Sequence, residues 1–79
     1  METRLLRYFV AVADAGHMTR AAAQLGIQQP PLSQQIRALE ARLGMTLLHR
    51  HPKGVTLTDS GRLFLVEARR ILGDMKAME

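Results

Sequence analysis

Between residues 28 and 37 the chain sets Gln28, Gln29, Ser33, Gln34 and Arg37 around the pair Pro30-Pro31. These side chains suit the reading of base edges. A glutamine amide matches the donor and acceptor of adenine, an arginine fork matches the two acceptors of guanine, and a proline ring can rest on a thymine methyl. Further on, Arg50, Lys53 and Gly54 stand in the stretch His49-Arg50-His51-Pro52-Lys53-Gly54. Its two permanent cations can neutralise phosphates, and a glycine lets a backbone come close to a partner.

Residues for other chemistries are few. The chain has no cysteine, which excludes disulfides and thiolate metal sites, and its three histidines are His17, His49 and His51. His49 and His51 are two apart, so in a strand they share a face and could offer zinc two ligands. No further ligands accompany them at suitable spacing. No nucleophile, acid–base pair or metal constellation is assembled. The expectation is no catalytic residue, no metal and no cofactor.

The 79 residues allow one small domain, and the net charge of +4 is unevenly spread along it. Residues 28–58 carry Arg37, Arg42, Arg50 and Lys53 against Glu40 alone, a net +3, whereas residues 1–27 carry +1 and residues 59–79 are neutral. A basic middle attracts a polyanion, and a balanced tail suits contact with protein. The apolar runs are short and broken by charge, below the ~18–20 residues of a membrane span. The start Met1-Glu2-Thr3-Arg4 lacks the pattern of a signal peptide. A soluble, cytoplasmic protein without a membrane partner is expected.

The elements that must hold these residues follow from the apolar spacing. Leu5, Phe9 and Val12, with Leu6, Val10 and Ala13 beside them, predict a helix over Thr3 to Asp14, capped by Thr3 and ended by Gly16. Thr19 is expected to cap a second helix that buries Ala21, Ala22 and Leu25 and stops at Gly26. A third helix begins near Gln29 or Pro30, since proline is tolerated in a first turn, and Gly44 closes it. Its stripe Leu32, Ile36, Leu39 and Leu43 leaves Pro30, Gln34 and Arg37 opposite, flanked by Ser33. Two short extended stretches around the Pro/Gly turn suggest a hairpin over about 48–57. The last helix runs from a Thr58 cap, with Phe64, Leu65, Ala68, Ile71, Leu72, Met75 and Met78 forming a stripe wider than the usual ~100° face. At ~1.5 Å per residue it outreaches so small a domain, so part of that stripe needs another partner.

Two helices about a glycine turn, then a basic hairpin, can place the second helix in a DNA major groove and the hairpin beside the duplex. The alternative is a protein-interaction module of similar shape, but the outer face of the third helix shows no aromatic or methionine cluster. A third reading keeps DNA binding in another regulator family with another dimer geometry.

From Leu6-Arg7-Tyr8-Phe9 to Thr58-Asp59-Ser60-Gly61 the chain resembles the LysR-type transcriptional regulators of bacteria. The resemblance rests on Thr19-Arg20-Ala21-Ala22, Leu25, Gln29-Pro30-Pro31-Leu32-Ser33, Ile36, Leu39-Glu40, Leu43-Gly44, Leu47-Leu48, Arg50 and Leu57-Thr58 with Gly61. It implies a mainly α fold with a small β-hairpin wing: a winged helix-turn-helix over 1–58, then a linker and dimerisation helix over 59–79. It implies that Gln29, Pro30, Pro31, Ser33, Gln34 and Arg37 read double-stranded DNA in an interrupted palindrome. Thr19, Arg20 and Gln28 would hold the backbone, with Arg50, Lys53 and Gly54 in the wing. A homodimer through Phe64, Leu65, Ala68, Ile71, Leu72, Met75 and Met78 is implied, and a tetramer in a full-length parent. The effector-binding domain of such a parent is expected to be absent from this chain. Many members carry Arg where this chain has Gln34, which shifts base preference, and often Phe where it has Leu48.

Overall fold

The computed structural model describes Glu2 to Glu79. In chain order it contains α1 (Thr3–Ala15), α2 (Met18–Leu25), α3 (Gln29–Leu43), β1 (Leu48–His51), β2 (Gly54–Leu57) and α4 (Asp59–Ala77). This is the mainly α class with a small hairpin and a long final helix that the spacing predicts.

The stripes meet in one core. Phe9 and Val12 of α1, Met18, Ala21 and Ala22 of α2, and Leu32, Ile36 and Leu39 of α3 close around Leu47 and Leu48. The paired alanines keep α2 slim, so that its backbone approaches its neighbours. Phe9 is wholly buried, and its ring meets Phe64 of α4 edge-on with centroids 5.2 Å apart. Such a pair adds ~0.5–1.5 kcal/mol beyond its buried area.

Two helix starts differ from expectation. Thr3 lies inside α1, whose N-cap is Glu2, and Thr19 lies inside α2, whose N-cap is His17; neither N-cap side chain bonds the helix. Burial of Met18 explains the second case. It draws Met18 into the helix, so the Ala21 amide takes the His17 carbonyl at 3.0 Å and α2 begins too early for a Thr19 cap. The turn after α2 closes as predicted. Gly26 at φ +71° lets its own N–H reach the Ala23 carbonyl and the Ile27 N–H reach the Ala22 carbonyl, which satisfies two orphan acceptors.

The hairpin is antiparallel, with Leu48 opposite Leu57, Arg50 opposite Val55 and His51 opposite Gly54. It is docked rather than free. The Val55 amide donates to the Gly16 carbonyl at 2.9 Å, and a Cβ on Gly54 would stand 2.3 Å from that same oxygen. Glycine at 54 is thus required by the chain's own α1–α2 turn. Thr58 caps α4 as expected, its hydroxyl accepting from the Gly61 amide at 2.9 Å and donating to the Thr46 carbonyl at 2.6 Å.

The stripe assigned to a partner helix divides. Ala68 is 1% exposed where α4 runs beside α1, Phe64 and Leu65 rest on the core, and Ile71 and Leu72 are partly buried. Only Met75 and Met78 of the stripe are exposed. The broad stripe is therefore mostly the seam between α4 and its own domain, because α4 packs along α1. The exposed apolar residues elsewhere on α4 are Leu63 and Val66, at 72% and 65%. They lie about 140° and 160° around the helix from Ala68.

Candidate nucleic-acid interface

Full burial of Leu32, Ile36 and Leu39 fixes the rotation of α3, and its opposite side must face solvent. Pro30, Pro31, Gln34 and Arg37 are exposed there, with Gln29 and Ser33 partly buried at the edge. Gln28 is the exposed N-cap of α3, and Thr19 and Arg20 are exposed in the first turn of α2. Neither helix has an acidic residue in its first turn or a side-chain cap bond. Their leading amides thus present uncompensated positive dipole ends, which favour anions.

An open groove of about 270 Å³ separates the two helix starts from the hairpin, lined by His17, Thr19, Gln29, Arg50, His51 and Gly54 among others. The structure thereby gathers Thr19, Gln29, Arg50 and Gly54 from α2, α3 and both strands of the hairpin. Lys53 is exposed at the hairpin tip.

The distribution of ion pairs sharpens the field. Arg62, Arg69 and Arg70 of α4 pair with Asp59, Asp14, Glu67 and Asp74. Among the described residues, Arg20, Arg37, Arg50 and Lys53 form no such pair. The arginines of α4 are thus locally balanced, whereas Arg20 on α2, Arg37 on α3 and Lys53 at the hairpin tip remain open to an anion.

Arg50 departs from the phosphate-facing position expected of it. Its Nη1 donates to Ser33 Oγ at 2.6 Å, and its Nη2 is buried without a partner among the described residues. Burial lowers its pKa, as does the nearby Arg37 charge, while Glu40 opposes both. The cause lies in the strand. Side chains alternate in β1, so Arg50 shares the face of buried Leu48, while His49 and His51 are exposed. That alternation is legible in the sequence.

Glu40 is a working residue that the sequence reading does not single out. Its carboxylate accepts from the Leu47 amide at 2.7 Å and the Leu48 amide at 3.2 Å, tying the start of the hairpin to α3. Its signal is its isolation as the single acid among the four basic residues of 28–58. Among the described residues no three His, Cys, Asp or Glu side chains gather as metal ligands.

Residues 3–62 match the family model described as "Bacterial regulatory helix-turn-helix protein, lysR family". The chain belongs to that family. It is the winged helix-turn-helix DNA-binding domain of a LysR-type regulator. Over 72 residues, 91% of this chain, it is 60% identical to the HTH-type transcriptional regulator BudR of Raoultella terrigena. It is 54% identical to the HTH-type transcriptional regulator TcbR of Pseudomonas sp. (strain P51) over the same share. These matches cover 25% and 24% of the two relatives, so this LysR-family domain spans about a quarter of their length. Its fold superposes on the crystal structure of the CbnR_DBD–DNA complex with a TM-score of 0.95 at 50% identity, covering 99% of this chain and 90% of that one. It superposes equally on the BenM_DBD/catB site 1 DNA complex, with a TM-score of 0.95 at 46% identity, covering 99% and 87%.

Proposed function

We propose that this domain reads an interrupted, two-fold-symmetric operator in bacterial double-stranded DNA as a homodimer. The carrying observation is the outer side of α3. Pro30, Pro31, Gln34 and Arg37 are exposed on the side away from a wholly buried stripe, beside two acid-free helix starts and the exposed Lys53 of the hairpin. In this reading α3 enters the major groove, where Gln29, Pro30, Pro31, Ser33, Gln34 and Arg37 meet base edges. Thr19, Arg20 and Gln28 hold the sugar-phosphate backbone, and Lys53 neutralises a phosphate from the wing. Similarity to two domains crystallised with DNA supports the assignment.

Dimerisation follows from α4, by the face that its own domain leaves open. Leu63 and Val66, with Met45 across a shallow apolar groove from Leu63, form an exposed patch for the same patch of a second copy. Met75 and Met78 are also exposed, but Met75 lies on the Ala68 side of the helix and so forms a separate surface near its end. In a longer parent chain, pairs of such dimers form a tetramer. The protein works in the bacterial cytoplasm, on the nucleoid when bound.

The test is a salt series of binding to a random duplex pool, followed by sequencing of the retained DNA. Enrichment of a two-fold-symmetric, interrupted motif is expected. Lys53→Ala should weaken binding to all sequences alike and reduce the salt slope by about one unit. Gln34→Ala or Arg37→Ala should change the preferred base, at about 1–3 kcal/mol for each bidentate hydrogen-bonded pair removed. Salt-dependent retention without any enriched motif would refute sequence reading, and no retention would favour a protein-interaction surface.

A further inference from the structure

We propose that Arg50 is a positioning residue for base preference: it sets the Ser33 hydroxyl at the edge of the reading face and locks the wing to α3. The inference rests on the DNA-binding reading above.

A guanidinium has only donors, so at the 2.6 Å contact the Ser33 oxygen accepts. The single hydroxyl proton is then free for another acceptor. Ser33 so held keeps its proton for another partner and one lone pair in reserve. An unconstrained serine could rotate to serve donor or acceptor alike. Fixing the rotor narrows what Ser33 tolerates in an opposing base edge or phosphate oxygen.

The same contact crosses between elements. Arg50 stands in β1 opposite Val55, and Ser33 stands one turn into α3. Glu40 anchors the approach to β1 from lower on α3, through the Leu47 and Leu48 amides. Glu40 and Arg50 thus fasten the hairpin to the recognition helix at two heights, and a change at either moves the wing relative to the reading face. A residue meant to track phosphates would be solvent-exposed and mobile, and Lys53 is exposed. Arg50 is partly buried and committed to a protein acceptor.

The test compares Ser33→Ala, Arg50→Ala, Arg50→Lys and the Ser33→Ala/Arg50→Ala double variant in the salt series and duplex selection described above. Ser33→Ala cuts the strut while keeping the Arg50 charge. Arg50→Lys keeps the charge but loses the planar fork. All three single variants are expected to show the same loss of discrimination, about tenfold, at the same one or two base positions. The double variant should lose no more than either alanine variant, because both remove one coupled unit. The salt slope should stay within about half a unit of wild type, against the full unit removed by Lys53→Ala. The inference is overturned if Arg50→Ala lowers the slope by a full unit at unchanged preference, or if the two single losses multiply in the double variant. Should Arg50→Ala fail to fold, as circular dichroism would show, wild-type preference in both Ser33→Ala and Arg50→Lys overturns it equally. A wild-type chain that retains no duplex refutes the DNA reading itself, which distinguishes the two failures.

Discussion

Gly54→Ala asks whether the wing is held by the protein that carries it. Gly54 has φ +143°, a region that costs a residue with a side chain ~1–3 kcal/mol. Its added Cβ would stand 2.3 Å from the Gly16 carbonyl oxygen and 2.9 Å from His17 Nδ1. The histidine ring can turn aside, but the backbone oxygen cannot. The hairpin must lift, and lifting breaks the 2.9 Å bond from the Val55 amide to that oxygen, worth ~0.5–1.5 kcal/mol. Together these give a destabilisation of about 2–4 kcal/mol. A domain this small has a stability near the lower end of ~5–15 kcal/mol, so the change is a large share of it. Urea unfolding followed by circular dichroism reads the effect directly. With a slope near ~1 kcal/mol per molar, the midpoint should fall by about 2 M or more. Gly44→Ala is the control. It has φ +68° with nothing within 4 Å of an added Cβ, so it bears only the left-handed backbone cost of ~1–2 kcal/mol. If Gly54→Ala is no worse than Gly44→Ala, the reasoning from close approach is refuted.

Glu40→Ala should destabilise the fold by about 2–4 kcal/mol, since it strands the Leu47 and Leu48 amides beside a buried core; Glu40→Gln, which keeps an acceptor, should cost about half, and equal losses in urea melts would show that the carboxamide does not reach. Gly73→Ala should stabilise by ~0.5–1 kcal/mol, because Gly73 lies within α4 with open space about its Cα; a lower thermal midpoint would mean that something outside the single chain packs there. Leu63→Glu should leave the unfolding midpoint of the monomer unchanged, since Leu63 is 72% exposed, yet shift the sedimentation mass to that of one chain at concentrations where wild type is dimeric. A dimer that survives this change would move the interface to another face.

Much of this architecture is legible in the sequence because its determinants are local. The stripe Leu32, Ile36, Leu39 is enough to predict both the core and, by subtraction, the exposed side of α3. Gly26 and Thr58 act within their own turns, so the residues alone announce them. The differences arise where another element competes. Thr19 has the chemistry of a cap, but the core draws Met18 into helical geometry, and burial of a large apolar side chain outweighs a cap worth ~0.5–2 kcal/mol. The α4 stripe is apolar as its spacing says, but spacing cannot name the neighbour that claims it. Its own α1 does, leaving Leu63 and Val66 outside.

The site shows the same division at the level of polar groups. Gln34, Arg37 and Lys53 are exposed, and among the described residues none of their side chains has a hydrogen-bond or ion-pair partner. Arg50 and Glu40 carry equally plain charges and yet serve inside the protein, one held to Ser33 and one to two backbone amides. What separates the two groups is strand parity and tertiary reach. Arg50 follows Leu48 by two residues and so turns inward, whereas Lys53 occupies a turn with no inward face. A basic hairpin therefore contains two kinds of cation, one for the partner and one for the geometry that presents it. Mutating them as though they were equivalent would mix an affinity effect with a specificity effect. Salt slope and base preference are separate observables, and they resolve the two.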